Sequence, residues 1–238
     1  MVRTSGKDAK GRIINAAIEL FSQKGYDATR VSDIADVANV NKALIYYYFK
    51  NKQDILDFMV RSLLNDAVSI TMDYVNMNIV EMIKKGYLDI WPDRLHFVNE
   101  EAVGIFLQNT YKFHERVLDF AIENRDIIRI LVLESLKSGK HQNSLFHFMD
   151  LMSFDDKNPI FRTITDADQD FSHSNEMALF EFFYTIIPIV SFAAYYDDYK
   201  SASSLSDEEL RDSFLRVSKV ITASLVSGSD ILLKSRHH

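Results

Sequence analysis

The chain has no cysteine among its 238 residues. Disulfide frameworks, thiolate nucleophiles and Cys-ligated metals are thereby excluded. Only 3 prolines and 7 glycines are present, which predicts few turns and long helices. No uncharged apolar stretch reaches about 18 residues, and none precedes the first charges, so neither a membrane span nor a secretory leader is expected. A soluble, cytoplasmic protein follows as the expectation. A Gly-rich phosphate loop, a GxSxG elbow and an HExxH helix are also missing. His96, His114, His141, His147 and His173 are scattered. Asp93 with His96, and Asp170 with His173, have helical i,i+3 spacing, but such pairs are common by chance. No metal site, cofactor or catalytic residue is assigned, and the chain is read as a non-enzyme.

What the chain does have is apolar mass and an uneven charge. Hydrophobic residues make up 47%, with 17 Phe and 11 Tyr, enough for a substantial core. The net charge of −7 looks wrong for a nucleic-acid binder. Its distribution answers this: residues 1–54 hold nine Lys/Arg and six Asp/Glu, and the remainder holds 18 basic and 28 acidic residues. A basic head on an acidic body attracts phosphate at one end only.

The chain is organised around Thr29 to Lys52. Val31, Ile34, Ala35 and Ala38 are apolar at helical spacing, and Ile45 and Phe49 resume that spacing after a break. Thr29 is read as the cap of the first helix and Asn41 as the cap of the second. Ala38-Asn39-Val40 is the turn, which needs one residue at positive φ, and Asn39 suits that demand after glycine. With Ile45, Tyr48 and Phe49 inward, the outer face is Lys42, Ala43, Leu44, Tyr46, Tyr47 and Lys50. This face is aromatic and basic, as a helix presented to base edges and phosphates requires. An ordinary three-helix lump with core tyrosines is the competing reading.

These residues resemble the DNA-binding domain of the TetR (tetracycline repressor) family of bacterial transcriptional regulators. The resemblance rests on Ile14-x-x-Ala17-x-x-Leu20-Phe21, Gly25-Tyr26-x-x-Thr29, Ile34-Ala35-x-x-Ala38, Val40-Asn41-Lys42, Tyr46-x-Tyr48-Phe49 and Asn51-Lys52-x-x-Ile55-Leu56. It covers roughly residues 8 to 60. Asn39 stands where the family has Gly, Asn41 where it has Ser, and Leu44 where Thr or Ser is common. The resemblance implies an all-α protein. Residues 1–54 would be a three-helix DNA-binding domain, its helix–turn–helix at about 30–49, and 55–238 an effector-binding and dimerisation domain. Lys42, Ala43, Leu44 and Tyr47 are expected at base edges. Thr29, Arg30, Tyr46, Lys50 and Lys52 are expected on phosphates, Lys52 because the matching family residue contacts one. Lys7, Lys10 and Arg12 either reach phosphates or are only solvated, and solvation is the favoured reading.

Along the chain, a first helix is expected over about 8–24, with Ile14, Ala17, Ile18 and Phe21 inward and Gly25 ending it in the left-handed position. A helix from Lys52 to about residue 78 is read as the lever between effector and head. Residues 79–92 are irregular. Helices follow at 92–123, 124–138 and 144–152. Residues 153–175 have no clear period and are read as a partly disordered loop. A helix over about 176–200 is apolar nearly all round, with a kink at Pro188. The last helix opens with a capping box at Ser206.

The effector is expected to be small and hydrophobic or aromatic. Candidate pocket residues are Trp91, Phe106, Tyr111, Phe113, Phe183 and Tyr184, for each of which ordinary core is the favoured reading, with His96 and His114 to orient a polar ligand group. A homodimer is expected through Phe180, Ile187, Leu210, Phe214, Val217, Ile221 and Leu225, because a two-fold operator needs a two-fold protein. The expected function is repression at a palindromic operator of double-stranded DNA, relieved by the effector. A DNA-anchored protein-interaction module without an effector is the alternative, and an all-α enzyme a more remote one.

Overall fold

The computed structural model describes residues 6–91, 94–137, 158–169, 171, 179 and 182–227. The expected helix at 144–152 and Phe180 lie outside these, as does most of 153–175. Two compact units are present: Met1–Asp66 with Asn124–Leu145, and Ala67–Glu123 with Phe146–His238.

The first unit begins with α1 (Gly6–Lys24), α2 (Val31–Val37) and α3 (Lys42–Tyr48), followed by the first turns of α4 (Lys52–Tyr74). Ile13, Ala16, Ala17, Leu20 and Phe21 are the buried face of α1. Ala17 and Phe21 are inward as expected, whereas Ile14 and Ile18 are only half-buried and Ile13, Ala16 and Leu20 complete the face. Gly25 ends α1 at φ 84 and Asn39 makes the interhelical turn at φ 51, both as the sequence predicts. Asn41 caps α3, its side-chain oxygen accepting from the Leu44 N–H at 2.7 Å. Ile34, Ala35, Ile45, Phe49, Ile55, Leu56 and Met59 fill the centre. Helix α7 (Arg125–Ser135), far along the chain, packs against α1 and buries Ile128, Ile130 and Leu131.

Thr29 does not cap α2. It is 1% exposed, and its hydroxyl donates to the carbonyls of Gly25 at 2.9 Å and Leu20 at 3.3 Å. The cap position is Arg30, whose backbone N–H donates to Asp33 Oδ2 at 3.1 Å.

In the second unit, α4 runs on into a π-helical turn (Val75–Val80) and α5 (Glu81–Lys84). Gly86 stops the helical path at φ 68. The helix expected from residue 92 is displaced by an antiparallel hairpin, β1 (Leu88–Trp91) with β2 (Arg94–Phe97), pairing Leu88 with Phe97 and Trp91 with Arg94. Leu88 and Ile90 are buried while Asp89 and Trp91 are exposed. That is a period of two, too short to stand out beside Pro92. Helix α6 (Glu100–Glu123) follows.

Part of the expected loop is helical: α8 spans Pro159–Ala167. Its signals were in the sequence. Asn158 caps it, accepting from the Ile160 N–H at 3.0 Å, and Pro159 occupies the first turn. Ile160, Ile164 and Ala167 pack on the cluster of Val75, Ile79, Val80, Leu88, Ile90 and Phe106.

Around Pro188 the chain forms a π-helical turn (Phe182–Ile186), then α9 (Ile187–Ala194) and α10 (Tyr196–Ala202). Pro188 has no N–H to return to the preceding turn, which accounts for the break there. The burial is one-sided: Ile189, Val190, Ala193 and Ala194 are covered, whereas Phe183 and Tyr184 are more than half exposed. Helix α11 (Asp207–Ser227) carries the expected capping box: Glu209 accepts from the Ser206 N–H at 2.8 Å, and the Glu209 N–H donates to Ser206 Oγ at 3.2 Å.

The inner face of α6 is polar in its middle. Thr110 Oγ1 and the Tyr74 hydroxyl lie 2.7 Å apart, and His114 Nδ1 lies 3.0 Å from Ser218 Oγ. Burial pulls the His114 imidazole from 6.5 down to about 4. Its neutral form is therefore the folded one.

Two outcomes follow. Thr29→Val leaves carbonyls short of a donor and should lower stability by about 1–2 kcal/mol, read by urea titration of the helical circular dichroism. The unfolded chain protonates His114 before the folded one does. Stability is therefore fully present above the unfolded value of 6.5 and falls as pH drops toward about 4, by on the order of 3 kcal/mol. The same titration repeated between neutral and acid pH should show this slope, and His114→Gln should flatten it.

Candidate nucleic-acid interface

Helix α3 is only seven residues long, KALIYYY, with no acid in it. Ile45 is fully buried and fixes which face turns outward. Lys42, Ala43, Tyr46, Tyr47 and Lys50 are exposed, and Leu44 is half-buried. Tyr47 is 79% exposed and meets the half-buried Tyr48 edge to face, with ring centroids 5.0 Å apart. An exposed tyrosine propped on its neighbour loses little freedom when it meets a surface. Arg30 is exposed at the start of α2. The exposed side of α3 and its end is therefore basic and aromatic.

Two expected phosphate contacts are committed inside the protein. Thr29 is buried, as described. Lys52 Nζ donates to the carbonyls of Tyr26 at 2.5 Å, Thr29 at 2.9 Å and Asp27 at 3.4 Å. It also lies 4.2 Å from the Tyr26 ring centroid. An ammonium has three N–H bonds, and three carbonyls receive them. Burial pulls the Lys52 amine below its usual value, against the pull of Asp27 and Glu134. Burial, and then the carboxylates of Glu134, Asp57 and Asp27, raise the Tyr26 phenol to about 12.

The loop so clamped is tied to the end of α7 as well. Lys137 Nζ bonds Asp27 Oδ2 at 3.1 Å and Glu134 Oε1 at 2.5 Å. Glu134 is 8% exposed, so Lys137 serves a nearly buried carboxylate.

Lys10 and Arg12 of α1 are not simply solvated. Lys10 Nζ sits 3.8 Å from the Phe58 ring centroid, and Arg12 Nε donates to the Ala38 carbonyl at 3.1 Å. Their sequence signal is weak, because a basic residue on a surface helix looks the same whichever way it bends.

The expected pocket residues do not converge on one cavity. Trp91 and His96 stack on the outer face of the hairpin, centroids 4.8 Å apart. Phe106 lies in the core against Phe97, 5.1 Å between centroids. Phe113 stacks on Tyr74 at 4.3 Å, and the Tyr111 hydroxyl donates to the Lys219 carbonyl at 3.5 Å. Phe183 and Tyr184 are exposed. The described second unit does contain an open cleft of about 410 Å³, lined by Ile70, Glu115, Arg116, Asp119, Phe120, Glu123 and Arg211. It is polar, with Arg211 bidentate on Asp119 at 2.5 and 2.9 Å.

The expected dimer residues divide. Leu210 is 2% exposed, and Phe214 packs on Phe192 with centroids 4.5 Å apart. Ile187 and Leu225 are half-buried. Val217 and Ile221 are exposed, and Val220 joins them at 67%.

Comparison with known proteins bears on both units. Residues 13–58 match the profile of bacterial regulatory proteins of the tetR family. The biofilm operon icaADBC HTH-type negative transcriptional regulator IcaR of Staphylococcus aureus is 42% identical over 73 residues, 31% of this chain and 34% of that protein. Its Staphylococcus epidermidis counterpart is 45% identical over 56 residues, 24% and 30% of the two chains. The match thus spans about a third of the length of these curated relatives. Two solved structures share the fold along the chain. A Clostridium perfringens protein assigned as a fatty acid metabolism regulator has a TM-score of 0.54 at 17% identity, covering 91% of this chain and 97% of that one. A Mesorhizobium loti protein assigned to the TetR family has a TM-score of 0.52 at 15% identity, covering 94% and 98%. In sequence, residues 13–58 are similar to the tetR family of bacterial regulatory proteins, and in fold the chain is similar to these two solved structures.

Proposed function

We propose that this protein is a homodimeric, cytoplasmic repressor that binds a palindromic operator and is released by a small molecule. The observation that carries the DNA reading is the outer face of α3, exposed, basic, aromatic and free of acid. Lys42, Ala43 and Tyr47 read base edges, with Leu44 at the margin. Arg30, Tyr46 and Lys50 hold phosphates. Thr29 and Lys52 leave that set, because their donors are spent on backbone carbonyls. Repression is supported by the Staphylococcus aureus relative, a negative transcriptional regulator.

The exposed valines and isoleucine of α11 support a dimer. Val217, Val220 and Ile221 fall on one helical face, and a second copy would cover them. Two heads on one two-fold axis then meet half-sites about 34–36 Å apart. A small-molecule effector favouring a conformer whose heads miss that spacing would lower operator affinity by its differential binding to the two conformers.

Selection of duplexes from a random library at about 0.1 M salt should enrich an inverted repeat, and enrichment of nothing would remove this reading. On the selected operator, Lys50→Ala should weaken all sequences alike and flatten the salt dependence by about one unit of slope, whereas Tyr47→Ala should reorder sequence preference. Lys52→Ala should leave the salt slope unchanged and instead lower the stability of the first unit by about 1–3 kcal/mol, seen as faster amide exchange at Tyr26 to Thr29. Val220→Asp should sediment as a monomer and bind the operator about a hundredfold more weakly, because the two half-sites are no longer linked.

A further inference from the structure

Two cations of α1 reach inward, Arg12 to the end of α2 and Lys10 toward the end of α3. Arg12 Nε donates to the carbonyl of Ala38 at 3.1 Å. Ala38 closes α2 at φ −72 and ψ −8, and Asn39 follows at φ 51. The last carbonyls of a helix have no partner within it and carry the negative end of its dipole, so a guanidinium there is doubly favoured. At the far end, Lys10 Nζ lies 5.5 Å from the ring centroid of Phe49, the residue that closes α3. Only Asn39, Val40 and Asn41 separate the Arg12 contact from Lys42. A displacement of the Ala38 carbonyl is therefore passed within three residues to the side chains proposed to read bases.

We infer that Arg12 is a positioning residue for DNA reading: its contact with the Ala38 carbonyl sets where the N-terminal end of α3 stands. The inference rests on the DNA reading of α3 proposed above. It differs from a phosphate contact, in which the charge itself would matter and every sequence would feel its loss. It differs also from general bracing, in which only stability would change.

The test compares Arg12→Met with Arg12→Gln. Methionine keeps an unbranched stem of equal length and has no donor. Glutamine places an amide N–H at the chain position of the arginine Nε and has no charge. Both are measured on the selected operator and on a scrambled duplex, over a range of salt, with thermal midpoints as the control for folding. Arg12→Met should bind the operator about tenfold more weakly, bind the scrambled duplex as before and keep the salt slope. Arg12→Gln should recover operator affinity to within about threefold of the parent, and amide exchange at Asn39 and Val40 should rise in the Met variant only. Equal losses on both duplexes in both variants, with a slope shallower by about one unit, would make Arg12 a phosphate contact and overturn the inference. Unchanged operator affinity in Arg12→Met would overturn it too, leaving a brace without a reading role. If Arg12→Met does not fold, Arg12→Ala, which also lacks a donor, takes its place in the same comparison with Arg12→Gln. A parent protein that selects no sequence would remove the DNA reading itself, an outcome seen before any variant is made.

Discussion

A helix of seven residues has about two turns and does not persist by itself in water, because nucleation consumes most of what its few hydrogen bonds return. Helix α3 is that short, so its existence and its aim both depend on what surrounds it. Ile45 anchors it to the core at 0% exposure, and Phe49 closes it at 3%. Asn41 satisfies a free N–H at its start. The turn before it is closed by Val40 donating to the Ala35 carbonyl at 3.0 Å. The first unit is arranged so that this one short element is held still while its outer face stays bare.

The same need explains where the basic residues go. The head is rich in Lys and Arg, yet several of them face inward. Lys52 satisfies three carbonyls of the loop between α1 and α2. That loop turns its oxygens toward α4, where an unpaired carbonyl would cost more than an ammonium's partial desolvation. Arg12 takes the end of α2 and Lys10 the rings at the end of α3. Lys137 neutralises Glu134 and reaches Asp27 from the end of α7. Net charge in the head is thus a poor count of phosphate contacts, and only Arg30, Lys42 and Lys50 among the proposed contacts carry exposed charge.

The second unit combines an apolar cluster around Val75, Ile79, Leu88 and Phe106 with a polar seam along α6. The seam is satisfied pairwise: Thr110 with Tyr74, His114 with Ser218. Outside it, Arg211 grips Asp119 and Lys219 meets Glu115 at 3.0 Å, fixing the register of α11 on α6. Register decides which residues of α11 turn outward, and therefore which could meet a second copy. The inner residues are Leu210 and Leu215, and the outer ones Val217, Val220 and Ile221.

The sequence alone determined the head. Its helical period, the asparagine at the turn, the cap at Asn41 and the glycine after α1 are local properties, set by backbone sterics and hydrogen bonding within a few residues. They were legible for that reason, as was the bare, basic face of α3 once Ile45 was placed inward. The sequence also held the signals for α8, a cap and a first-turn proline, but a polar setting hid them. Tertiary structure decided what no local pattern encodes. A lysine on a surface helix can reach a phosphate, a ring or a carbonyl with equal ease, and only the packed loop assigns Lys52 to carbonyls. Thr29 looks like any cap until the fold buries it. Leucines at helical spacing mark a buried face, but whether that face meets the same chain or another depends on which helix lies opposite. Arg125–Ser135 groups with the head across the intervening Ala67–Glu123 because its apolar stripe fits α1, a match of surfaces rather than of sequence.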